Sequence, residues 1–131
     1  MCCDCSYGHH NQWNFDTPEN KKKSFIQSLS GDVPNSLKNK FNRFKKTIIE
    51  DKPTIATRKS SELTLAVINK NIPFTIGGSA DLTGSNNTLT PELGIFSPEN
   101  QNGRYIHYGI REHAMAAAMN GISLHGGLIP Y

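Results

Sequence analysis

Cysteine is scarce in this chain: Cys2, Cys3 and Cys5 are the only three, all crowded into the first five of 131 residues. They cannot build the spaced framework of a disulfide-stapled fold. Long hydrophobic runs are missing too. No apolar stretch approaches the ~20 residues that a bilayer-spanning helix needs, and the N-terminus lacks the basic-then-apolar order of a signal peptide. There are no internal repeats. Apolar content is low at 36%, and mean hydropathy is −0.50. Together these absences predict a soluble cytoplasmic protein with no membrane partner, long enough to bury one core.

The first 16 residues carry zinc-ligand types in Cys3, Cys5, His9 and His10. Their spacing does not match paired-ligand knuckles, and nothing apolar nearby would order a site. The expectation is therefore no metal site there, and residues 1–16 stay an unassigned tail.

Charge is uneven. Residues 21–59 hold eleven Lys or Arg against three Asp or Glu, whereas residues 60–131 hold three against five. Lys38, Lys40, Arg43, Lys45 and Lys46 could track the phosphates of a nucleic acid. Leu37, Phe41, Phe44 and Ile48 recur between them at helical spacing, however, so the segment reads as an amphipathic helix with a solvated basic face. No nucleic-acid motif accompanies it, and no nucleic-acid partner is expected.

Three parts follow from the pattern. Thr17-Pro18 predicts an N-cap and a first helical proline, opening a helix that turns Phe25, Ile26 and Leu29 inward and stops at Gly31. A connector containing the basic amphipathic segment leads to Pro53. Beyond it, Thr57 predicts the cap of a helix whose Leu63, Ala66 and Val67 share a face and which ends near Asn71. Phe74-Thr75-Ile76 is then a short strand running into Gly77-Gly78. This α-then-β unit predicts an α/β fold with a parallel sheet flanked by helices. Residues 83–103, rich in Asn, Gly, Pro, Ser and Thr, predict a long loop. A strand near Tyr105, a helix of small apolar residues and a turn at Gly126-Gly127 toward another strand complete the chain. Its last residues, Leu128 to Tyr131, read as a domain cut rather than finished.

Three short segments carry chemistry. Glu112 sits where the strand Tyr105–Tyr108 feeds the apolar run Ala114 to Ile122. If that helix is buried, desolvation raises the pKa of the carboxyl and readies it for proton work. If not, Glu112 only complements the helix dipole. Gly77-Gly78-Ser79-Ala80-Asp81-Leu82-Thr83-Gly84-Ser85 follows a strand, where ligands sit in open α/β sheets. Its paired glycines allow close backbone approach to a ligand, and Ser85 offers a hydroxyl to an anion. Arg58, near a helix start, has the planar fork that grips phosphate.

The order ATRKSSE, IGGSADLTGSN, GRYIHYGIREHAMAAAMNGI resembles transketolase, from about Leu29 to Tyr131. Leu29 to Pro34 is similar to the segment leading out of that family's diphosphate-binding domain, so residues 17–52 are expected to be a connector. Residues 53–131 resemble the N-terminal part of its pyrimidine-binding domain. The resemblance implies an enzyme that moves a two-carbon ketol unit from a ketose phosphate to an aldose phosphate, in the pentose phosphate pathway. It implies thiamine diphosphate and Mg2+ as cofactors, and a homodimer with each active site between subunits. Glu112 matches the glutamate that hydrogen-bonds a pyrimidine ring nitrogen, so that the exocyclic nitrogen takes the thiazolium proton. Asp81 and Leu82 match residues near the thiazolium ring, and Arg58 and Ser85 match residues that hold substrate phosphate. The family's Gly-Asp-Gly motif, which binds magnesium and diphosphate, is missing, so the metal ligands are expected outside this chain. The aromatic residues that stack on the pyrimidine are expected beyond Tyr131. Two alternatives remain: an enzyme similar to dihydroxyacetone synthase, and a non-catalytic truncated remnant. On either reading this chain alone is expected to be inactive.

Overall fold

Helices form wherever the sequence supplies helix formers between breakers. The computed structural model describes residues 17–131, so the Cys/His tail lies outside the described residues. Helix α1 (Glu19–Ser30) ends at Gly31, whose φ of 70° is a left-handed cap of the kind glycine adopts without a Cβ penalty. Its start is one residue later than expected. Pro18 occupies the capping position without a side-chain cap bond, and its carbonyl accepts from the Lys21 and Lys22 amides. The inward turn expected of Phe25, Ile26 and Leu29 does not occur: all three are about half exposed or more. The reason is position, since α1 lies at the periphery across an open groove from Pro73, Phe74 and Leu128.

Helix α2 (Ser36–Asp51) is the basic amphipathic segment. Leu37, Phe41, Phe44 and Ile48 are its sheltered stripe, and Lys38, Lys40, Arg43, Lys45 and Lys46 are exposed, as the spacing predicts. Pro53 lies just beyond its C-cap, Lys52, and cannot continue a helix. Helix α3 (Thr57–Asn71) packs beside α2. Thr57 is its first residue rather than its cap, because Ala56 holds the capping position. Leu63, Ala66 and Val67 are half-buried, whereas the fully buried residue of α3 is the polar Asn69.

Strand β1 (Thr75–Ser79) is the centre of a three-stranded sheet, with β2 (Tyr105–His107) on one side and β3 (Ile129–Pro130) on the other. Both pairings are parallel, with Gly77 opposite Tyr105, Ser79 opposite His107 and Thr75 opposite Ile129. The four-residue helix α4 (Thr83–Asn86) interrupts the expected long loop, and α5 (Glu112–His125) carries the chain from β2 to β3. The fold is thus α/β, a small parallel sheet with helices around it. Leu37, Ile72 and Phe74 form the core, packed by Phe41, Ile68 and Ile129.

Arg104 ties α3 to this sheet. Its guanidinium donates to the Asn69 carbonyl (2.9 Å), the Ile72 carbonyl (2.8 Å) and the Thr75 hydroxyl (2.8 Å). A planar cation there satisfies carbonyls that the end of a helix leaves unpaired and complements its dipole.

Candidate functional site at the C-terminal edge of the sheet

Parallel pairing sends the ends of β1 and β2 to one edge, and the chemical segments leave from there. The Tyr108 amide donates to the Ser79 carbonyl at 3.0 Å, so the two exits start side by side. After β1, Ala80 is buried and Asp81 takes a left-handed φ of 67°. Asp pays less than most side chains in that region. The Ser79 hydroxyl accepts from the Leu82 amide at 3.0 Å, which closes the turn. Asp81 is exposed, Leu82 presents an apolar side chain to solvent, and α4 follows with an exposed Ser85.

After β2 the chain turns at Gly109, whose φ is 66°. The Arg111 guanidinium folds back to donate to the Tyr108 carbonyl at 2.8 Å. Glu112 is the first residue of α5. Here the structure corrects the expectation of a desolvated carboxyl. Glu112 is exposed, and no residue of α5 is buried. Ile110, just before α5, is 77% exposed and Leu124, on α5, is 89% exposed, because among the described residues no second layer covers them. The edge therefore gathers Asp81, Leu82, Ser85 and Glu112 on neighbouring segments. Arg58 stands apart as the exposed second residue of α3.

The paired glycines also do something other than the sequence predicts. Gly77 and Gly78 lie inside β1, not in a turn. A Cβ on Gly77 would stand 2.3 Å from Cζ of Tyr131, and one on Gly78 would stand 2.5 Å from Cε2 of Tyr108. The space cleared by the missing side chains is filled by the chain's own tyrosine rings, not left for a ligand. Burial pushes both phenols above the ordinary tyrosine range, although the Asn69 amide opposes this at Tyr131.

Several residues that shape the edge escape a sequence reading. Tyr105 is completely buried, and its hydroxyl lies 2.8 Å from Thr88 Oγ1 and 3.1 Å from Thr83 Oγ1. Its ring meets His107 edge-on with centroids 5.4 Å apart. Asn69 Nδ2 donates to Thr90 and to the Tyr131 hydroxyl. The available signal was complementary size: two adjacent glycines in a strand require large neighbours elsewhere.

An exposed carboxylate, a second carboxylate and an apolar side chain stand at one edge, able to meet a ring with polar nitrogens. Among the described residues no three His, Cys, Asp or Glu side chains gather as a metal-binding group. No described helix is long and apolar enough to cross a membrane.

Residues 53–131 match the family described as transketolase, pyrimidine binding domain. The transketolase of Rhodobacter capsulatus is 53% identical over 114 residues, covering 87% of this chain and 17% of that protein. That of Sinorhizobium medicae is 50% identical over 110 residues, covering 84% and 16%. Among solved structures, transketolase from Leishmania mexicana superposes with a TM-score of 0.70 at 38% identity, covering 92% of this chain and 17% of that one. A Pichia stipitis transketolase in complex with sedoheptulose-7-phosphate gives 0.70 at 34% identity, covering 92% and 19%. The chain thus spans about one sixth of the length of the curated relatives. A parallel sheet whose Asp81-Leu82 and Glu112 segments leave one edge, together with this match across residues 53–131, makes the chain a member of the transketolase family through its pyrimidine-binding domain.

Proposed function

We propose that this chain supplies the pyrimidine-binding half of a transketolase active site. The site would transfer a two-carbon ketol unit from a ketose phosphate to an aldose phosphate, in the cytoplasm, as part of the pentose phosphate pathway. Residues 53–131 form that part and residues 17–52 the connector before it. The supporting observation is that Glu112 and Asp81-Leu82 leave neighbouring parallel strands at the same edge. Glu112 is exposed and heads α5, which leaves its carboxyl accessible to a ring delivered from outside. It would hold a pyrimidine nitrogen and share a proton with it. Leu82 and Asp81 would border the thiazolium ring. Thiamine diphosphate, when bound, supplies the carbon that takes up and hands on the two-carbon unit. Its diphosphate and Mg2+ would be held by residues outside this chain, on the other subunit of a homodimer.

Arg58 and Ser85 would grip the substrate phosphate from separate elements. A helix joined to a parallel strand by three residues runs back against it, so the N-terminal end of α3 points toward the edge where β1 ends. Two exposed donors on separate elements suit a solvated anion better than a buried one.

The test is Glu112→Gln in the cofactor-loaded full-length enzyme, read by hydrogen–deuterium exchange at the thiazolium carbon. Gln keeps the volume and a donor but cannot exchange a proton, so exchange should slow by about a hundredfold or more. Exchange at the parent rate in a folded, loaded variant would make Glu112 a helix-end carboxylate only.

A further inference from the structure

We infer that Thr88 is a positioning residue: with Tyr105 and Tyr131 it fixes the segment that carries Leu82 and Ser85. The Thr88 hydroxyl donates to the Gly78 carbonyl at 3.3 Å. Having one proton to give, it must accept from the Tyr105 hydroxyl at 2.8 Å. Tyr105 in turn accepts from the Thr83 hydroxyl at 3.1 Å. The bonds run in one direction, from Thr83 through Tyr105 and Thr88 to β1, and no hydroxyl along them lacks a partner. Such an aligned, partly buried series is stiffer than isolated pairs.

The backbone of Thr88 is held separately. Its carbonyl accepts from the Tyr131 hydroxyl at 3.0 Å, and that phenol accepts from Asn69 at 2.9 Å. Thr83 opens α4 and Thr88 follows the left-handed cap Asn87, so a single buried phenol on β2 brackets the segment at both ends. Tyr105 is 0% exposed, hence its ring cannot swing away without opening the sheet. Beyond the Leu82 amide bond to the Ser79 hydroxyl and the backbone bonds of α4, no side-chain bond among the described residues holds the exposed Leu82 and Ser85. Their placement is borrowed from this clamp. The functional meaning rests on assigning Leu82 and Ser85 to the site, but the clamp can be tested without cofactor or turnover.

The experiment is amide hydrogen exchange by NMR on the chain itself. The Ser85, Asn86 and Asn87 amides report on α4, since they donate to the Leu82 and Thr83 carbonyls. The Gly77 and Tyr108 amides report on the sheet. Thr88→Val and Tyr105→Phe each remove the hydroxyl but keep the shape. Each should speed exchange at the three α4 amides about fivefold or more relative to Gly77, the equivalent of about one hydrogen bond. Thr88→Ser, which keeps the hydroxyl, should leave them at the parent rate. Equal acceleration at Gly77 and Tyr108, no acceleration at all, or failure of Thr88→Ser to retain protection would each overturn the inference. If the exchange pattern is as expected but Glu112→Gln leaves thiazolium exchange unchanged, the clamp stands and the transketolase-site reading falls. The reverse outcome separates them the other way.

Discussion

The Tyr108 ring lies over Gly78 while the Tyr108 amide holds the Ser79 carbonyl at 3.0 Å, so one residue of β2's exit fixes two consecutive positions of β1. The exits that carry Asp81 and Glu112 are therefore packed as a unit, and the glycines of β1 are a condition of that packing.

Alanine at either glycine should destabilise the chain, by about 1–3 kcal/mol as in other overpacked interiors. The two differ in what resists. All three nearest atoms at Gly77 belong to the Tyr131 ring, whereas the backbone carbonyl of Ile106 stands 2.8 Å from a Cβ at Gly78. Urea titrations of double-mutant cycles should find strong coupling between Gly77→Ala and Tyr131→Ala. Coupling of Gly78→Ala with Tyr108→Ala should be weaker, since a carbonyl remains in the way.

Arg104 offers a second stability test. Arg104→Met keeps the stem but leaves the Asn69 and Ile72 carbonyls without their donor. Hydrogen bonds to a charged group are worth about 1.5–3 kcal/mol each, so thermal denaturation should show a loss of at least about 2 kcal/mol. Arg104→Lys should recover only a minor part, because one ammonium cannot reproduce the fork.

Alkaline pH should weaken the fold. Burial raises the Tyr131 and Tyr108 phenols above their usual range. Above about pH 10, where an unfolded tyrosine loses its proton, the native state holds more protons than the unfolded state. Stability then falls with rising pH. The contribution is complete below that value and disappears as pH climbs through the folded pKa values. Urea midpoints should be level from pH 7 to 9 and drop by pH 11. Tyr131→Phe should lower the plateau, by losing the bonds to Asn69 and Thr88, and make the alkaline drop shallower.

In the full-length enzyme, Arg58→Ala should raise KM for phosphorylated sugars about ten- to a hundredfold, the value of one charge-assisted contact. It should do much less to a non-phosphorylated donor such as hydroxypyruvate. Steady-state kinetics with both donors decides it: equal losses would make Arg58 structural. The 131-residue chain alone should show no sub-micromolar binding of thiamine diphosphate with magnesium by calorimetry.

Local signals in the sequence carried much of the fold. Gly31 marks a helix end, and the stripe Leu37, Phe41, Phe44 and Ile48 faces inward as spaced. Asn71 closes α3, and the strands at Thr75 and Tyr105 lie where the apolar segments put them. What could not be read depends on partners distant in sequence. Phe25, Ile26 and Leu29 have helical spacing, but spacing cannot say whether another layer comes to meet them. Glu112 is ambiguous for the same reason: the apolar helix behind it does not say whether another layer covers it. Gly77 and Gly78 looked like a ligand approach because Tyr108 and Tyr131, 30 and 54 residues onward, supply the rings that fill the space.

The bare apolar side of α5 has a thermodynamic consequence for every measurement on this chain. Apolar surface in water represents roughly 25 cal/mol for each Å² that association can remove, and Leu124 on α5 and Ile110 just before it are largely exposed. Any process that covers them in the native state alone is linked to unfolding by mass action. Where that process is self-association, the melting temperature depends on chain concentration, and dilution series rather than single curves define the intrinsic stability.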